Sequence, residues 1–464
     1  MKNGLQGGGR WIVVLLGLFL LSFLPLEMSS AFHDSQRLIS SWLFLLGIVA
    51  TIRFARISRQ ALWLLAGIYL YGMVVVVVSP IPMWSLLEFS LLFTVVLFAL
   101  VFMPAVTGQD MRWLLLCFVF IQAFYLVRNL TNYVFVMVSE ADFDAFALVD
   151  GFSNVRFYGQ FLLWTVPFVL GVLAVDKALS YRWLIGLVVI FAWAFAFLTG
   201  TRAFFLGMLF SMIGVIWVVG RYGKSYLQYC VVTAALGFGV YYAMAMLIPD
   251  WFRQPAEVQA LLSQSVGRDI TTSYDRIALW QDAWRVAWEH PLLGGGPMVT
   301  AVEGVSQFAA HPHNYVLQLL AEWGIPFSLG LLLLGAWGVW RWRQQVRCQL
   351  EARWEMALPV TASASAVAVA GLVDGFLVMP VSLVYMGLVL AVGVAQWRMW
   401  TVDTPREVPS YTLLLVALLP TVWLAGFVMI DWLGIGGDSY ALTGFQTVDL
   451  GFPRFWIDGN IRVP

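Results

Sequence analysis

The sequence predicts an all-α, polytopic integral membrane protein of about 12–14 transmembrane helices, with one large external loop that contains surface helices. Composition, the number of long apolar runs and the placement of basic residues between them all point to this class. Of 464 residues, 61% are hydrophobic and 11% charged, whereas soluble domains carry roughly 25% charged residues. Mean hydropathy is +0.83. Lys and Arg number 26 against 26 Asp and Glu, a balance that speaks against a nucleic-acid partner and against a polybasic lipid-binding patch. Cys117, Cys230 and Cys348 lie apart, each in or beside an apolar run. They read as packing residues rather than as a disulfide framework or zinc site.

A helix needs about 20 apolar residues to cross roughly 30 Å of hydrocarbon. Windows of that kind fall near 11–26, 39–52, 61–79, 83–103, 112–137, 160–175, 183–199, 203–219, 226–248, 319–340, 356–373, 378–396 and 411–433. The first resembles a secretory signal, with Lys2 and Arg10 before it and Ser29, Ser30 and Ala31 after it. Because further spans follow directly, it reads as an uncleaved first helix. With the N-terminus inside, Arg53, Arg56, Arg59, Arg112, Lys177, Arg182, Arg221, Lys224, Arg341, Arg343, Arg347, Arg353, Arg398 and Arg406 all fall on the inner side. This alternation is the positive-inside pattern. It leaves the tail after Asp431 outside, and an even number of spans would reverse that tail.

Two external loops are long. Residues 139–160 carry Asp142, Asp144, Asp150 and Arg156. Residues 249–313 form a stretch of about 65 residues, a length that is usually functional. Within it, Ser273 to His290 places Ile277, Leu279, Trp280, Trp284, Val286 and Trp288 among charged residues. The pattern predicts a helix lying at the membrane surface, anchored by tryptophan. The Leu293–Pro297 run, LGGGP, lacks the Gly-Lys-Ser/Thr ending of a phosphate loop and implies no nucleotide. It reads as a flexible turn.

The chain holds four histidines, and two of them flank Pro312 in His311-Pro-His313-Asn314. Proline favours the first turn of a helix, so a helix is expected to begin near Pro312 and run through Glu322, with His313 in its first turn. There the helix dipole and free N–H groups favour a nearby anion and disfavour a protonated imidazole. A neutral imidazole so placed can serve as a general base. Asn314, Gln318 and Glu322 recur every four residues and make a polar stripe that needs partners or water. The histidines have two other readings: they satisfy backbone carbonyls at the interface, or they ligate a metal with Glu303, Glu322 or Asp374, although no zinc-site spacing is visible. Arg202 stands in a tight external junction, Arg276 opens the surface helix, and Arg268 lies eight residues earlier. Their guanidinium forks suit phosphate oxygens, or they snorkel to lipid headgroups. Asp374, in an external turn, either orients His313 and helps receive its proton or caps the next helix.

The motifs TGTR at 199–202, DRIALWQDAWRVAWEHPLLGGGP at 275–297 and HPHNYVLQLLAEWGIP at 311–326, in this order, resemble the O-antigen ligase and polymerase superfamily. The resemblance covers roughly the second half of the chain. It divides the chain into N-terminal helices (1–175), a ligase-like catalytic region (176–400, including the loop 249–313) and a last helix with its tail (401–464). It implies a metal-independent, inverting glycosyltransferase without cofactor, working at the periplasmic face of the bacterial inner membrane. The implied partners are an undecaprenyl-diphosphate-linked glycan donor and, for a ligase, a lipid A-core acceptor. Polymerases use a lipid-linked glycan as acceptor, and O-linked oligosaccharyltransferases use a protein hydroxyl. By the same resemblance His313 is the base and Arg202 and Arg276 hold the diphosphate; Arg268 is expected to join them there, with His311, Asn314 and Asp374 in support. No carboxylate pair at glycosidase spacing is visible. A transporter of a lipid-linked or anionic solute is the other class, but transporters carry internal repeats and mid-membrane charges, and here the polar groups cluster at the outer edge.

Overall fold

The computed structural model describes residues 11, 13–19, 32–54, 57–138, 148–149, 152, 154–251, 273–302, 304–306, 309–401, 407–408, 423 and 425–426. In chain order its main helices begin with α1 (Phe32–Thr51), α2 (Arg59–Val78), α3 (Pro82–Val101), α4 (Gly108–Val138), α5 (Val155–Val175), α6 (Arg182–Leu198) and α7 (Arg202–Val219). They continue with α8 (Lys224–Tyr242), α9 (Ser273–Glu289), α10 (Tyr315–Trp323), α11 (Ile325–Cys348), α12 (Leu350–Ala370) and α13 (Pro380–Trp400). Among the described residues the exception is one short antiparallel pair, β1 (Ile57–Ser58) with β2 (Glu407–Val408), in which Ile57 faces Val408.

Six of the described helical stretches are long and apolar enough to cross a membrane, and two shorter apolar helices, Gln36–Thr51 and Arg182–Leu198, accompany them. The protein is an all-α polytopic membrane protein. The stretch Arg202–Leu247 is a single run of 46 residues by hydropathy, but Gly220 at φ +60° and the 3-10 turn Gly220–Gly223 divide it into α7 and α8. The expected span at 319–340 is also cut. Gly324, at φ +77°, ends α10, and Pro326 sits in the first turn of α11. The Trp-Gly-Ile-Pro sequence carried both signals, a C-terminal glycine and a helix-starting proline.

Contacts divide the chain into two compact units that interleave in sequence. The first draws on Met1–Val106, Ser273–Gln345 and Gly375–Pro464, and the second on Thr107–Thr272 and Val346–Asp374. In the first, α3 packs on α13, α1 and α2. Phe98 sits against Phe44 and Phe102 at ring-centroid distances of 5.2 and 4.4 Å, in space left open by Gly47 and Gly387.

In the second unit, α12 packs along α7 and α5. A β-carbon on Gly171 would strike the Pro359 backbone, and one on Gly214 would strike the Ser365 side chain. Lipid tails are as apolar as side chains, so close van der Waals packing through small residues holds such helices together. Ser211 Oγ donates to the Ala362 carbonyl at 2.8 Å and Ser363 Oγ to the Trp164 carbonyl at 2.5 Å, which fixes the register. Cys117 and Cys230 are buried as packing residues, but Cys348, the last residue of α11, is exposed.

Candidate active site

Helix α10 begins at Tyr315, three residues later than proline statistics predict. Asn314 is its N-cap in extended geometry, and its Oδ1 accepts from the N–H groups of Val316 and Leu317 at 3.0 and 3.1 Å. This short amide satisfies two of the donors that a helix start leaves open. His313 therefore precedes the helix rather than lying in its first turn. Its backbone sits at φ +51°, a left-handed conformation that costs an L-residue roughly 1–2 kcal/mol. The His313 N–H donates to Nδ1 of His311 at 3.1 Å.

That bond assigns a tautomer. An acceptor Nδ1 carries no proton, so His311 is the neutral Nε2–H form wherever this bond is made. The His311 ring is 3% exposed and meets the His313 ring edge-on, with centroids 4.1 Å apart and planes at 65°. A β-carbon on Gly375 would overlap the His311 ring, so only glycine at this position leaves room for it. Nδ1 of His313 is shut off from solvent. Burial raises the Tyr315 phenol above its ordinary value.

The surface helix predicted for 273–290 is α9. Its Leu279, Ala283, Val286 and Ala287 are buried, whereas Ile277, Trp284 and Trp288 are exposed. Ala283 and Val286 form a small core with Val299 and Ala321. Trp280 ties α9 to the histidine segment by donating Nε1–H to the Pro312 carbonyl at 3.0 Å. Arg276 is half-buried one turn earlier, on the same side of the helix as Trp280 by their four-residue spacing.

The other end of α10 is clamped by the glycine run, which is not the flexible turn its composition suggests. Gly295 N–H donates to the Ala321 carbonyl at 2.8 Å and Gly296 N–H to the Glu322 carbonyl at 3.1 Å. These are carbonyls that a helix end leaves open. Gly294 and Gly296 sit at φ +73° and +92°, and a β-carbon on either would strike Glu322 or Ser79. Ser85 Oγ donates to the Pro297 carbonyl at 2.8 Å, and Tyr71 Oη to the carbonyls of Leu292 and Trp323 at 3.0 and 2.6 Å. The polar stripe finds its partners here. Glu322, 1% exposed, accepts from Thr300 Oγ1 at 3.3 Å and from Gln318 Nε2 at 3.4 Å.

Residues 187–335 match the family model described as O-antigen ligase. They form an O-antigen ligase family domain. Enzymes of this family transfer lipid-linked glycans. A comparison with curated proteins found no match.

The O-antigen ligase domain contains Arg202, Arg276, His311, His313 and Asn314, whereas Asp374 lies beyond it. Contacts join Trp280, His311 and His313 next to Asn314 in the first unit, to which Arg276 also belongs; Arg202 and Asp374 belong to the second. Arg202 is exposed at the start of α7, after Gly200 at φ +59°. Asp374 is 3% exposed and accepts from Gln160 Nε2 at 2.9 Å. It does not cap the next helix, since α13 starts at Pro380 with Met379 as its cap. Arg268 lies outside the described residues. Among the described residues no three His, Cys, Asp or Glu side chains gather as a metal site would require.

Sequence reasoning missed Trp280, Gly375 and Gln160. Trp280 was visible as a tryptophan four residues after Arg276 but was read only as an anchor. Gly375 and Gln160 act through partners far away in the chain, which no local pattern announces.

Proposed function

We propose that this chain is a periplasmic-face glycosyltransferase of the bacterial inner membrane that moves a glycan from undecaprenyl diphosphate to an acceptor hydroxyl, as an O-antigen ligase with lipid A-core as acceptor. The observation that carries this reading is the strained His313 backbone, held by His311, inside the O-antigen ligase domain. Off-region backbone is tolerated where function requires it.

In this reading His313 receives the acceptor proton on Nε2, because its Nδ1 is closed to solvent. The acceptor oxygen then attacks the anomeric carbon, the bond from that carbon to the diphosphate breaks, and the leaving diphosphate keeps the electron pair. A single in-line displacement inverts the anomeric centre. Arg276 and Arg202, with Arg268, hold the departing charge through paired N–H donors. Neither metal nor cofactor enters the reaction. His311 and Asn314 set the backbone on either side of the base, and Asp374 is assigned a supporting role in the reaction.

Replacing His313 with alanine tests this. General-base catalysis is worth about 10²- to 10⁴-fold, so transfer from purified lipid-linked donor to lipid A-core falls by at least 100-fold while the protein still inserts. Full activity in that variant sinks the mechanism. Lipopolysaccharide gels of a deletion strain separate the acceptors. Loss of long-chain bands over an intact core marks a ligase, and a single-repeat band marks a polymerase. An unchanged pattern turns the search to exopolysaccharide or protein glycosylation, and solute movement without bond formation would indicate a transporter.

A further inference from the structure

Charged side chains are rare inside membrane bundles, and where they occur they are paired and mark function. Arg37, in α1, and Glu88, in α3, are such a pair: their side chains are 2% and 1% exposed, with Arg37 Nη1 3.4 Å from Glu88 Oε2. Arg37 spends its second arm elsewhere. Nη2 donates to the Val378 carbonyl at 3.1 Å. Val378 belongs to the turn before α13, and its own N–H donates to the Gly375 carbonyl at 3.3 Å. Gly375 is the residue on which the His311 ring rests, and His311 holds the His313 N–H.

All of these residues belong to the first unit. A line of contacts therefore runs from Glu88 through Arg37, the 375–378 turn and His311 to His313. Arg37, Glu88 and the turn lie outside the matched 187–335 segment.

We infer that Arg37 and Glu88 are positioning residues, which hold the 375–378 turn so that Gly375 fixes the His311 ring and His311 in turn fixes the left-handed backbone of His313. The inference rests on the proposed role of His313. The guanidinium is suited to this, since its fork serves a carboxylate and a carbonyl at once, whereas a lysine ammonium is a point charge on a flexible stem.

A purely structural role and a positioning role predict different outcomes. Replacing a buried pair with apolar side chains of similar size is often neutral or stabilising, and the Val378 carbonyl that loses its Arg37 donor lowers stability only modestly. The Arg37→Met/Glu88→Leu double variant should thus insert, with a thermal midpoint in detergent at or slightly below the wild-type value. Misplacing a catalytic group by about 1 Å costs up to 100-fold. With undecaprenyl-diphosphate-linked glycan and lipid A-core as substrates, kcat of the double variant is expected to fall by roughly 10- to 100-fold at unchanged KM. Arg37→Lys keeps Glu88 compensated but cannot also hold the Val378 carbonyl, so kcat falls there too. This single variant decides between the two roles where the double variant fails to insert.

Wild-type kcat in either inserted variant overturns the inference. His313→Ala, measured in parallel, separates the two levels. If His313→Ala is inactive while the Arg37 variants turn over normally, positioning alone fails; if His313→Ala is fully active, the base assignment fails and the positioning role with it.

Discussion

Helix α12 is 21 residues long and lies in the second unit against helices that glycine and alanine let close, with few polar ties. Helix α10 is 9 residues long, in the first unit, and is secured at both ends by specific hydrogen bonds: an asparagine cap in front, and a glycine run that closes on its last carbonyls. A helix that short has little intrinsic stability, so its position depends on those ties. The difference separates two kinds of sensitivity. Around α12, volume matters most; around α10, individual donors and backbone angles matter, and the proposed base His313 with its supports His311 and Asn314 is found there.

The largest break in this comparison is expected at the glycine clamp. Gly296→Ala puts a β-carbon against Ser79 at φ +92°, combining backbone strain with a clash. Those effects cost about 1–3 kcal/mol each, so the thermal midpoint in detergent should fall steeply and transfer activity should be lost with it. A wild-type midpoint would mean that the clamp yields and that α10 is not held by it. Gly214→Leu in the second unit overpacks Ser365 and is expected to cost about 1–3 kcal/mol, while the kcat of the folded fraction stays at the wild-type value. A lowered kcat there would show that the α12 contact also governs the chemistry, and the contrast between the two helices would lose its meaning.

A narrower test concerns Asn314. The polar stripe Asn314–Gln318–Glu322 suggested three equivalent side chains, but Asn314 caps the helix, whereas Gln318 donates to Glu322, which also accepts from Thr300. Loss of a cap costs about 0.5–2 kcal/mol, and serine or aspartate restores it. Asn314→Ala should therefore lower both stability and transfer rate, and Asn314→Ser should recover both. If serine recovers stability but not rate, the amide contacts substrate directly, and the cap is only part of its role.

These helices also show what the sequence could reveal. The apolar runs, the amphipathic helix over 273–289 and the helix after His-Pro-His-Asn were legible because they depend on local periodicity and on proline and asparagine chemistry. The start of α10 was misjudged because two signals competed, and the asparagine side chain, which reaches the N–H groups two and three residues on, prevailed over the proline ring. The left-handed conformation of His313 goes with a bond from its N–H to His311, two residues back, which no helix rule announces. The glycine run looked like slack, since its partners Ala321 and Glu322 lie more than 20 residues further on. Asp374 stood out in the sequence, but its donor Gln160 is 214 positions away. Glu88 was visible as a charge in an apolar run, whereas Arg37 follows the polar stretch His33–Gln36, and their pairing is a property of the folded bundle.

The smallest expected effect belongs to a second-unit contact of ordinary chemistry, which sharpens the contrast by being expendable. Asp176, just after α5, accepts from Arg112 Nε at 2.5 Å and Nη2 at 3.1 Å. The Arg112 bond, ahead of an N–H from Ala178, holds its carboxyl below the ordinary value of 3.8. A carboxyl depressed in the folded state stabilises the protein above its unfolded value, and that contribution is lost as pH falls through the folded one. Thermal midpoints measured from pH 7 downward should therefore decline more shallowly in Arg112→Met than in wild type once pH drops below about 4, where unfolded aspartates begin to take up protons. The guanidinium is half-exposed, so the shift at neutral pH is small, and transfer activity is unchanged. A large loss of activity in Arg112→Met would mean that the inner face of the second unit is coupled to the site, and that the division of labour between α12 and α10 does not hold.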